Sequence, residues 1–191
     1  MNEENHITDS FSNPTSPTSS IARLMLKTAD IFEAIILKSA AVCCWSSALL
    51  IAVIILNVIM RYGFSNGLIL FEEIQWHLYA IGIMFGLSYA EITNSQVRVD
   101  VVASMLKPKT VLKWEIFGAV FFVFPTIFVI LFNSIDYVSS SYLLSEGSSS
   151  PLGMPFRWVI KSAIPASFIL LAMAVLARLF RNIITITQKE A

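Results

Sequence analysis

The chain has 191 residues, of which 56% are hydrophobic and 14% are charged, whereas soluble domains contain roughly 45–50% apolar and about 25% charged residues. This composition excludes a disordered chain and disfavours a soluble globule. Thirteen basic and thirteen acidic residues give a formal net charge of zero, which excludes the basic surface that nucleic-acid binding requires.

The N-terminal region divides into two parts. Residues 1–20 are rich in Asn, Ser, Thr, Pro and Glu and predict a disordered tail. They lack the basic start and apolar core of a signal peptide. Residues 21–38 place charged and apolar side chains on different helical faces, which predicts an interfacial amphipathic helix along the membrane surface. The alternative for this segment is the exposed start of a long transmembrane helix.

Four windows contain no Asp, Glu, Lys or Arg, at residues 39–60, 74–90, 116–135 and 162–177. A helix needs about 20 mostly apolar residues to cross roughly 30 Å of hydrocarbon. With short extensions at their ends, the windows predict four transmembrane helices at about residues 39–60, 70–92, 115–137 and 156–178. We therefore expect one all-α membrane domain over residues 21–182, followed by a tail at residues 183–191.

The loops and prolines add detail to this topology. Between spans two and three, the sequence favours a short interfacial helix that ends at Pro108. Pro155 is expected in the first turn of span four. Pro125 and Pro165 are expected to kink spans three and four.

The basic residues predict the orientation, because cytoplasmic loops carry an excess of Lys and Arg. The side with both termini and the loop between spans two and three has ten of the thirteen basic residues. The opposite side has only Arg61, Arg157 and Lys161. Both termini are therefore expected in the cytoplasm.

Several kinds of membrane chemistry are disfavoured by the sequence. Haem ligation between helices requires facing His or Met ligands, and the chain has two His, one of them in the tail. Cys43 and Cys44 are adjacent, and we interpret them as inert small residues rather than a redox pair. No Asp or Glu lies centrally in a predicted span, although proton and drug exchangers use such carboxylates. We therefore expect no catalytic, metal or cofactor site.

The polar residues of spans one and two gather where these spans meet. Asn57 and Arg61 are one turn apart near the end of span one, while Glu72, Glu73 and His77 begin span two. The loop between the spans is short, so Arg61 is expected to pair with Glu72 or Glu73. Two alternatives are a partner-contact surface and a proton or ion relay.

Arg157 and Lys161 lie one turn apart on the side that has few basic residues. Three interpretations fit this position. The pair binds lipid headgroups, forms ion pairs with Asp136 or Glu146, or contacts an acidic partner outside the cytoplasm.

Three segments occur in order between the apolar spans: Asn57-x-x-x-Arg61-Tyr62-x-Phe64, Glu72-Glu73-Ile74-Gln75-Trp76-His77 and Asn94-Ser95-Gln96-Val97-Arg98-Val99-Asp100-Val101. Together they resemble the DctQ-like small membrane subunit of tripartite ATP-independent periplasmic (TRAP) transporters. Gly82, Gly86 and Tyr89 lie between the second and third segments. The segment at residues 146–161 is similar to a longer-looped branch of the family.

The resemblance implies a bacterial inner-membrane protein that belongs to a sodium-coupled uptake system for an organic acid or similar solute. In this family a periplasmic protein binds the substrate, and a large membrane subunit carries the substrate and sodium sites. The small subunit is expected to scaffold the large one and help dock the binding protein, in contact with membrane lipids. Arg98 and Asp100 join the expected structural or partner-contact residues. The alternatives are a free-standing channel or exporter, and an assembly protein unrelated to transport.

Overall fold

The computed structural model describes residues 20–64, 67–96, 107–148 and 153–188. Every regular element in these ranges is helical. The elements are α1 (Ser20–Gly63), α2 (Ile69–Ile92), α3 (Pro108–Gly118, a π-helical turn at Ala119–Val123, and Phe124–Leu143) and α4 (Arg157–Gln188). The predicted all-α class is therefore confirmed for the described residues. The predicted disordered tail lies almost wholly outside them.

Helix α1 has 44 residues without a break, so the predicted separation of an interfacial helix at 21–38 from span one at 39–60 is absent. Residues 21–62 contain neither Gly nor Pro, and nothing in this stretch ends a helix. At 1.5 Å per residue α1 is about 66 Å long. That length is about twice the hydrocarbon thickness of a bilayer.

Three of the described helices are long and apolar enough to cross a membrane, at Ser20–Gly63, Thr110–Leu143 and Arg157–Thr187. Helix α2 has 24 residues, which is a sufficient length. Its first half carries the polar side chains of Glu72, Glu73, Gln75 and His77, and these lower its mean hydropathy.

Helix α4 is the centre of the packing, because it contacts α1, α2 and α3. Helix α2 also packs against α1. The fully buried side chains of α4 include Ala174 and Ala177, and small residues let neighbouring helices approach closely. Ile127 of α3 packs against Leu171 and Val175 of α4 to form an apolar cluster.

Contacts at the helix ends give the chain an up-down-up-down topology. The start of α2 contacts the loop before α4 through Glu73 and Met154. The end of α2 contacts the later part of α4 through Glu91 and Arg178. Helices α2 and α4 therefore run in the same direction, and the connecting order places α1 and α3 in the opposite one.

The prolines do not all lie where they were expected. Pro108 begins α3 rather than ending a preceding helix, and residues 97–106 lie outside the described part of the chain. Pro155 is two residues before α4, where Phe156 adopts a positive φ of 65°. The π-helical turn ends two residues before Pro125, so the regular α-helical geometry is interrupted near this proline. Pro165 lies inside α4.

Candidate functional site

Two groups of hydrogen-bonded and ion-paired side chains lie at opposite ends of the bundle. We name the first the loop cluster, because it surrounds the connection between α3 and α4. Its members are Glu73, Ser141, Glu146, Ser148, Met154, Arg157 and Lys161. We name the second the terminal cluster, because it joins the first part of α1 to the last part of α4. Its members are Asp30, Glu33, Glu91, Gln96, Glu115, Arg178, Arg181 and Asn182.

Glu146 is the central acid of the loop cluster. Its Oε2 accepts hydrogen bonds from Lys161 Nζ and from Ser141 Oγ, the latter at 2.7 Å. Arg157 Nη1 lies 3.9 Å from Oε1. The hydrogen bonds from Lys161 and Ser141 lower the pKa of Glu146 below its ordinary value. Lys161 Nζ also lies 4.0 Å from the centre of the Tyr137 ring, a distance typical of a cation–π contact.

Glu73 holds the same loop from the side of α2. Its Oε2 accepts a hydrogen bond from the Met154 backbone N–H at 2.5 Å, and its Oε1 accepts one from Ser148 Oγ. Gly153 allows this approach, because a Cβ at this position would lie 2.7 Å from Glu73 Oε1 and would overlap the Ser148 side chain. The loop is thus fastened to α2 through a single carboxylate.

Two backbone hydrogen bonds close the loop on itself. Ser148 N donates to Met154 O, and Arg157 N donates to Glu146 O, each at 3.1 Å. The second bond satisfies one of the free N–H groups at the start of α4. The loop therefore packs back on the ends of three helices.

The predicted residues around the first hairpin do not form the expected ion pair. Within the described ranges, Arg61 has no ion pair with Glu72 or Glu73, and its side chain is exposed. The Glu73 carboxylate instead binds the α3–α4 loop. His77 Nδ1 forms a hydrogen bond with the Glu73 backbone oxygen at 2.5 Å. Asn57 Oδ1 is buried and has no hydrogen-bond partner among the residues that the structure describes.

The remaining predicted contact residues are the pair Arg157 and Lys161 and the pair Arg98 and Asp100. Arg157 and Lys161 both face Glu146, which corresponds to one of the three interpretations that the sequence left open. Arg98 and Asp100 lie outside the described residues. A partner surface at any of these positions stays a prediction.

Arg178 is a member of the terminal cluster that the sequence analysis did not select. Its Nη1 lies 3.0 Å from Glu91 Oε1 of α2, and its Nη2 lies 3.3 Å from Glu115 Oε1 of α3. Asn182 Nδ2 donates to the second Glu115 oxygen at 3.0 Å. One guanidinium therefore joins α2, α3 and α4.

Arg181 connects the first and last helices in the same manner. Its Nε and Nη2 donate to the two oxygens of Glu33 at 2.7 and 2.9 Å, a two-point pairing that suits the planar guanidinium. Nη2 also donates to Asp30 Oδ1 at 2.9 Å. A sequence signal existed, since Arg178 directly follows a charge-free window and Glu91 and Glu115 flank two others.

The distance between the loop cluster and the terminal cluster is close to the hydrocarbon thickness of a membrane. Lys161 and Arg178 are 17 residues apart on α4, and Glu73 and Glu91 are 18 residues apart on α2. These separations correspond to about 26–27 Å along a helix, close to the hydrocarbon thickness of roughly 30 Å. Neither interval contains another Asp, Glu, Lys or Arg.

Each cluster borders an open cleft. The cleft at the loop cluster has a volume of about 520 Å³ and a mostly apolar lining that includes Trp76, His77 and Phe156. The cleft at the terminal cluster has a volume of about 310 Å³ and is lined in part by Glu91, Glu115 and Arg178.

Within the described residues, no group of three or more His, Cys, Asp or Glu side chains is arranged to hold a metal ion.

Together the fold and the two clusters define a helical membrane protein whose ionic groups fasten its own helices at both ends. Residues 50–185, more than half of the chain, match the family of the DctQ component of tripartite ATP-independent periplasmic transporters. The chain belongs to this family, as the resemblance predicted, and is a small membrane component of a TRAP transporter. The family is a transporter family rather than an enzyme family, and it indicates a multi-pass protein of the bacterial inner membrane. Comparison with individual curated proteins gives no match.

Proposed function

We propose that this chain is the scaffold of a sodium-coupled uptake system for an organic acid or similar small solute. In this proposal the large membrane subunit carries the substrate and sodium sites, and the small subunit holds its static part in place. The supporting observation is that Arg178, Arg181, Lys161 and their acidic partners bind one another within this chain. These ionic side chains are used for holding helices rather than for binding an anion or Na⁺ in the centre of the membrane.

Reconstitution into liposomes tests this proposal. The purified chain alone is expected to give no uptake of organic acid above that of empty liposomes. The chain together with the large subunit, the binding protein and a sodium gradient is expected to give uptake. Transport by this chain alone would contradict the scaffold and support a free-standing channel or exporter.

The proposal includes four spans with both termini in the cytoplasm. Helix α2 contacts the loop cluster near one end and the terminal cluster near the other, which supports its crossing of the same apolar layer as α4. The excess of Lys and Arg on the side of the terminal cluster supports the orientation.

Of the two cations in the loop cluster, Arg157 is better placed than Lys161 to dock the periplasmic binding protein. The Lys161 side chain is 12% exposed and faces Glu146, whereas the Arg157 side chain is 45% exposed and lies 3.9 Å from the same carboxylate. Arg157 therefore retains access to an acidic surface of the periplasmic binding protein, and Lys161 mainly orders the loop.

The two single alanine variants separate these roles. Arg157→Ala is expected to lower uptake at limiting binding protein while the yield of membrane complex stays unchanged. Lys161→Ala is expected to lower the thermal stability of the complex. Unchanged uptake by Arg157→Ala would reject docking through this residue.

A further inference from the structure

One face of α3 carries a regular line of exposed residues, which we name the α3 stripe. Its members recur at alternating spacings of four and three residues, and all of them are exposed: Phe122, Thr126, Val129, Asn133, Asp136, Ser140 and Leu143. This spacing averages 3.5 residues, so the seven residues lie one above the other along one side of the helix. The buried residues Ile127, Ser134 and Ser141 lie elsewhere on α3 and recur at seven-residue spacing. Helix α3 thus has one face toward α4 and a second ordered face without a partner in the described part of the chain.

The α3 stripe contains polar groups at membrane depth. Thr126 and Asn133 lie within the charge-free window at residues 116–135. Thr126 Oγ1 donates to Phe122 O at 2.7 Å. Asn133 Nδ2 donates to Val129 O at 2.7 Å, but its second N–H and its Oδ1 have no partner among the described residues. An amide with unused hydrogen-bonding capacity is costly against lipid chains.

The exposed face of α1 has a different character. Between residues 48 and 59, every exposed residue of α1 is apolar. Leu49, Ile51 and Ile55 are 54%, 60% and 54% exposed. This face suits direct contact with lipid, whereas the α3 stripe presents hydrogen-bonding groups that lipid chains cannot satisfy.

We propose that the α3 stripe binds a transmembrane helix of the large subunit. The inference rests on the proposed scaffold function and names its contact surface. The partner helix presents a hydrogen-bonding side chain opposite Asn133 and a basic side chain opposite Asp136.

The charge of Asp136 favours the large subunit over a second copy of this chain. Two copies in the same membrane orientation, packed through the same stripe, would bring their Asp136 carboxylates to the same depth. Like charges in contact are destabilising. Asp136 is exposed and has no ion pair within the described ranges, so it is available to a basic group of a different chain.

Photo-cross-linking in the intact complex tests the position of the surface. A benzophenone amino acid replaces Val129 on the stripe or, as the matched control, Ile55 on the apolar face of α1. We expect cross-links to the large subunit from position 129 at more than about five times the yield from position 55. Equal yields, a larger yield from position 55, or cross-linked dimers of this chain would each overturn the proposal.

Co-purification of the wild-type chain distinguishes the two proposals. If the wild type does not co-purify with the large subunit, the scaffold itself fails. If it co-purifies and position 129 gives no cross-link to the large subunit, the scaffold stands and only the α3 stripe is overturned.

A substitution tests the polar contact itself. Interhelical polar contacts in membranes predict that Asn133→Leu lowers the yield of complex by about three- to twentyfold. Membrane insertion of the chain is expected to stay unchanged, because Asn133 is exposed in the isolated chain. Cys44→Leu alters an exposed residue of α1 and serves as the control. Equal yields of complex for the two variants would contradict a role of Asn133 in binding.

Discussion

At the level of single residues, arginine side chains hold the terminal cluster together. A guanidinium has five N–H donors in a planar fork and remains charged, so Arg178 can bind Glu91 and Glu115 at the same time. The Arg178 and Glu91 side chains are 22% and 14% exposed, so solvent screens them less than it screens a surface pair. Removing the arginine would leave two carboxylates close together in a poorly solvated place.

Arg178→Gln is therefore expected to destabilise the isolated chain in detergent by about 2–3 kcal/mol, since breaking a half-buried pair leaves its partner uncompensated. Chemical unfolding followed by tryptophan fluorescence measures the change. Arg61→Gln is the matched control, because Arg61 is exposed and has no ion pair in the described ranges. We expect its effect to stay within about 0.5 kcal/mol. Equal losses in both variants would contradict the structural role of Arg178.

Glu146 gives a prediction for pH. Because its pKa is lowered in the folded chain by hydrogen bonds from Lys161 and Ser141, its contribution to stability is present above the ordinary Glu pKa of about 4.3. The contribution is lost as the pH falls through the lowered value. The melting temperature of the wild type is expected to exceed that of Glu146→Gln at pH 6, and the difference is expected to shrink below about pH 4. Glu72→Gln removes an exposed acid of α2 outside the loop cluster and serves as the matched control.

The sequence predicted some pairs and missed others for a physical reason. Glu146 with Lys161 was among the open alternatives because opposite charges are visible in a sequence. The partners of Glu73 were not, because one is the backbone N–H of Met154 and the other is a serine hydroxyl. Which backbone amide faces a carboxylate depends on loop geometry. No residue type signals that geometry.

At the level of elements, hydropathy located the helices better than their boundaries. The windows without charge lie inside α1, α2, α3 and α4. Charged residues are excluded from the parts of a helix that lie in the apolar layer, so these windows mark the middle of each helix and not its ends. The predicted boundary near residue 38 is absent, since a helix does not end where its surroundings change from lipid to water. The start of α3 at Pro108 follows from the fixed φ of proline, which suits a first helical turn.

The connection between α3 and α4 yields a prediction about Gly153. A Cβ at this position would meet the Ser148 side chain and the Glu73 carboxylate, so Gly153→Ala is expected to loosen the loop from α2. Overpacking of this kind costs about 1–3 kcal/mol, measured as a lower stability in detergent. Gly147→Ala changes the same loop where a Cβ has open space, and it is expected to leave stability unchanged. A stable Gly153→Ala variant would contradict the close approach of Glu73.

At the level of the whole molecule, the two clusters act as ionic fastenings at the two ends of an apolar bundle. Their separation of about 26 Å leaves the middle of α4 to small and apolar residues such as Ala174 and Val175, which are buried. This arrangement concentrates the ionic hydrogen bonds at the two ends of the bundle. In the proposed complex, the outward faces of α1 and α3 are left for lipid and for the large subunit.

The topology leads to a prediction that tests whether α2 crosses the membrane. In a chain with Cys43 and Cys44 replaced by alanine, single cysteines are placed at Gly67, Leu144, Ser95 and Thr187, which are all exposed. A membrane-impermeant maleimide added to intact cells is expected to label Gly67→Cys and Leu144→Cys. Ser95→Cys and Thr187→Cys are expected to react only after the membrane is opened.

The pair at residues 67 and 95 decides the outcome, because these positions lie just before and just after α2. If α2 crosses, they lie on opposite sides; if both react in intact cells, or neither does, α2 does not span. Position 144 lies before α4 and position 187 in its last turn. Because α4 is long and apolar enough to cross, these two positions give the orientation independently. The reverse pattern at all four positions would place the side with ten basic residues outside the cytoplasm and contradict the rule for Lys and Arg.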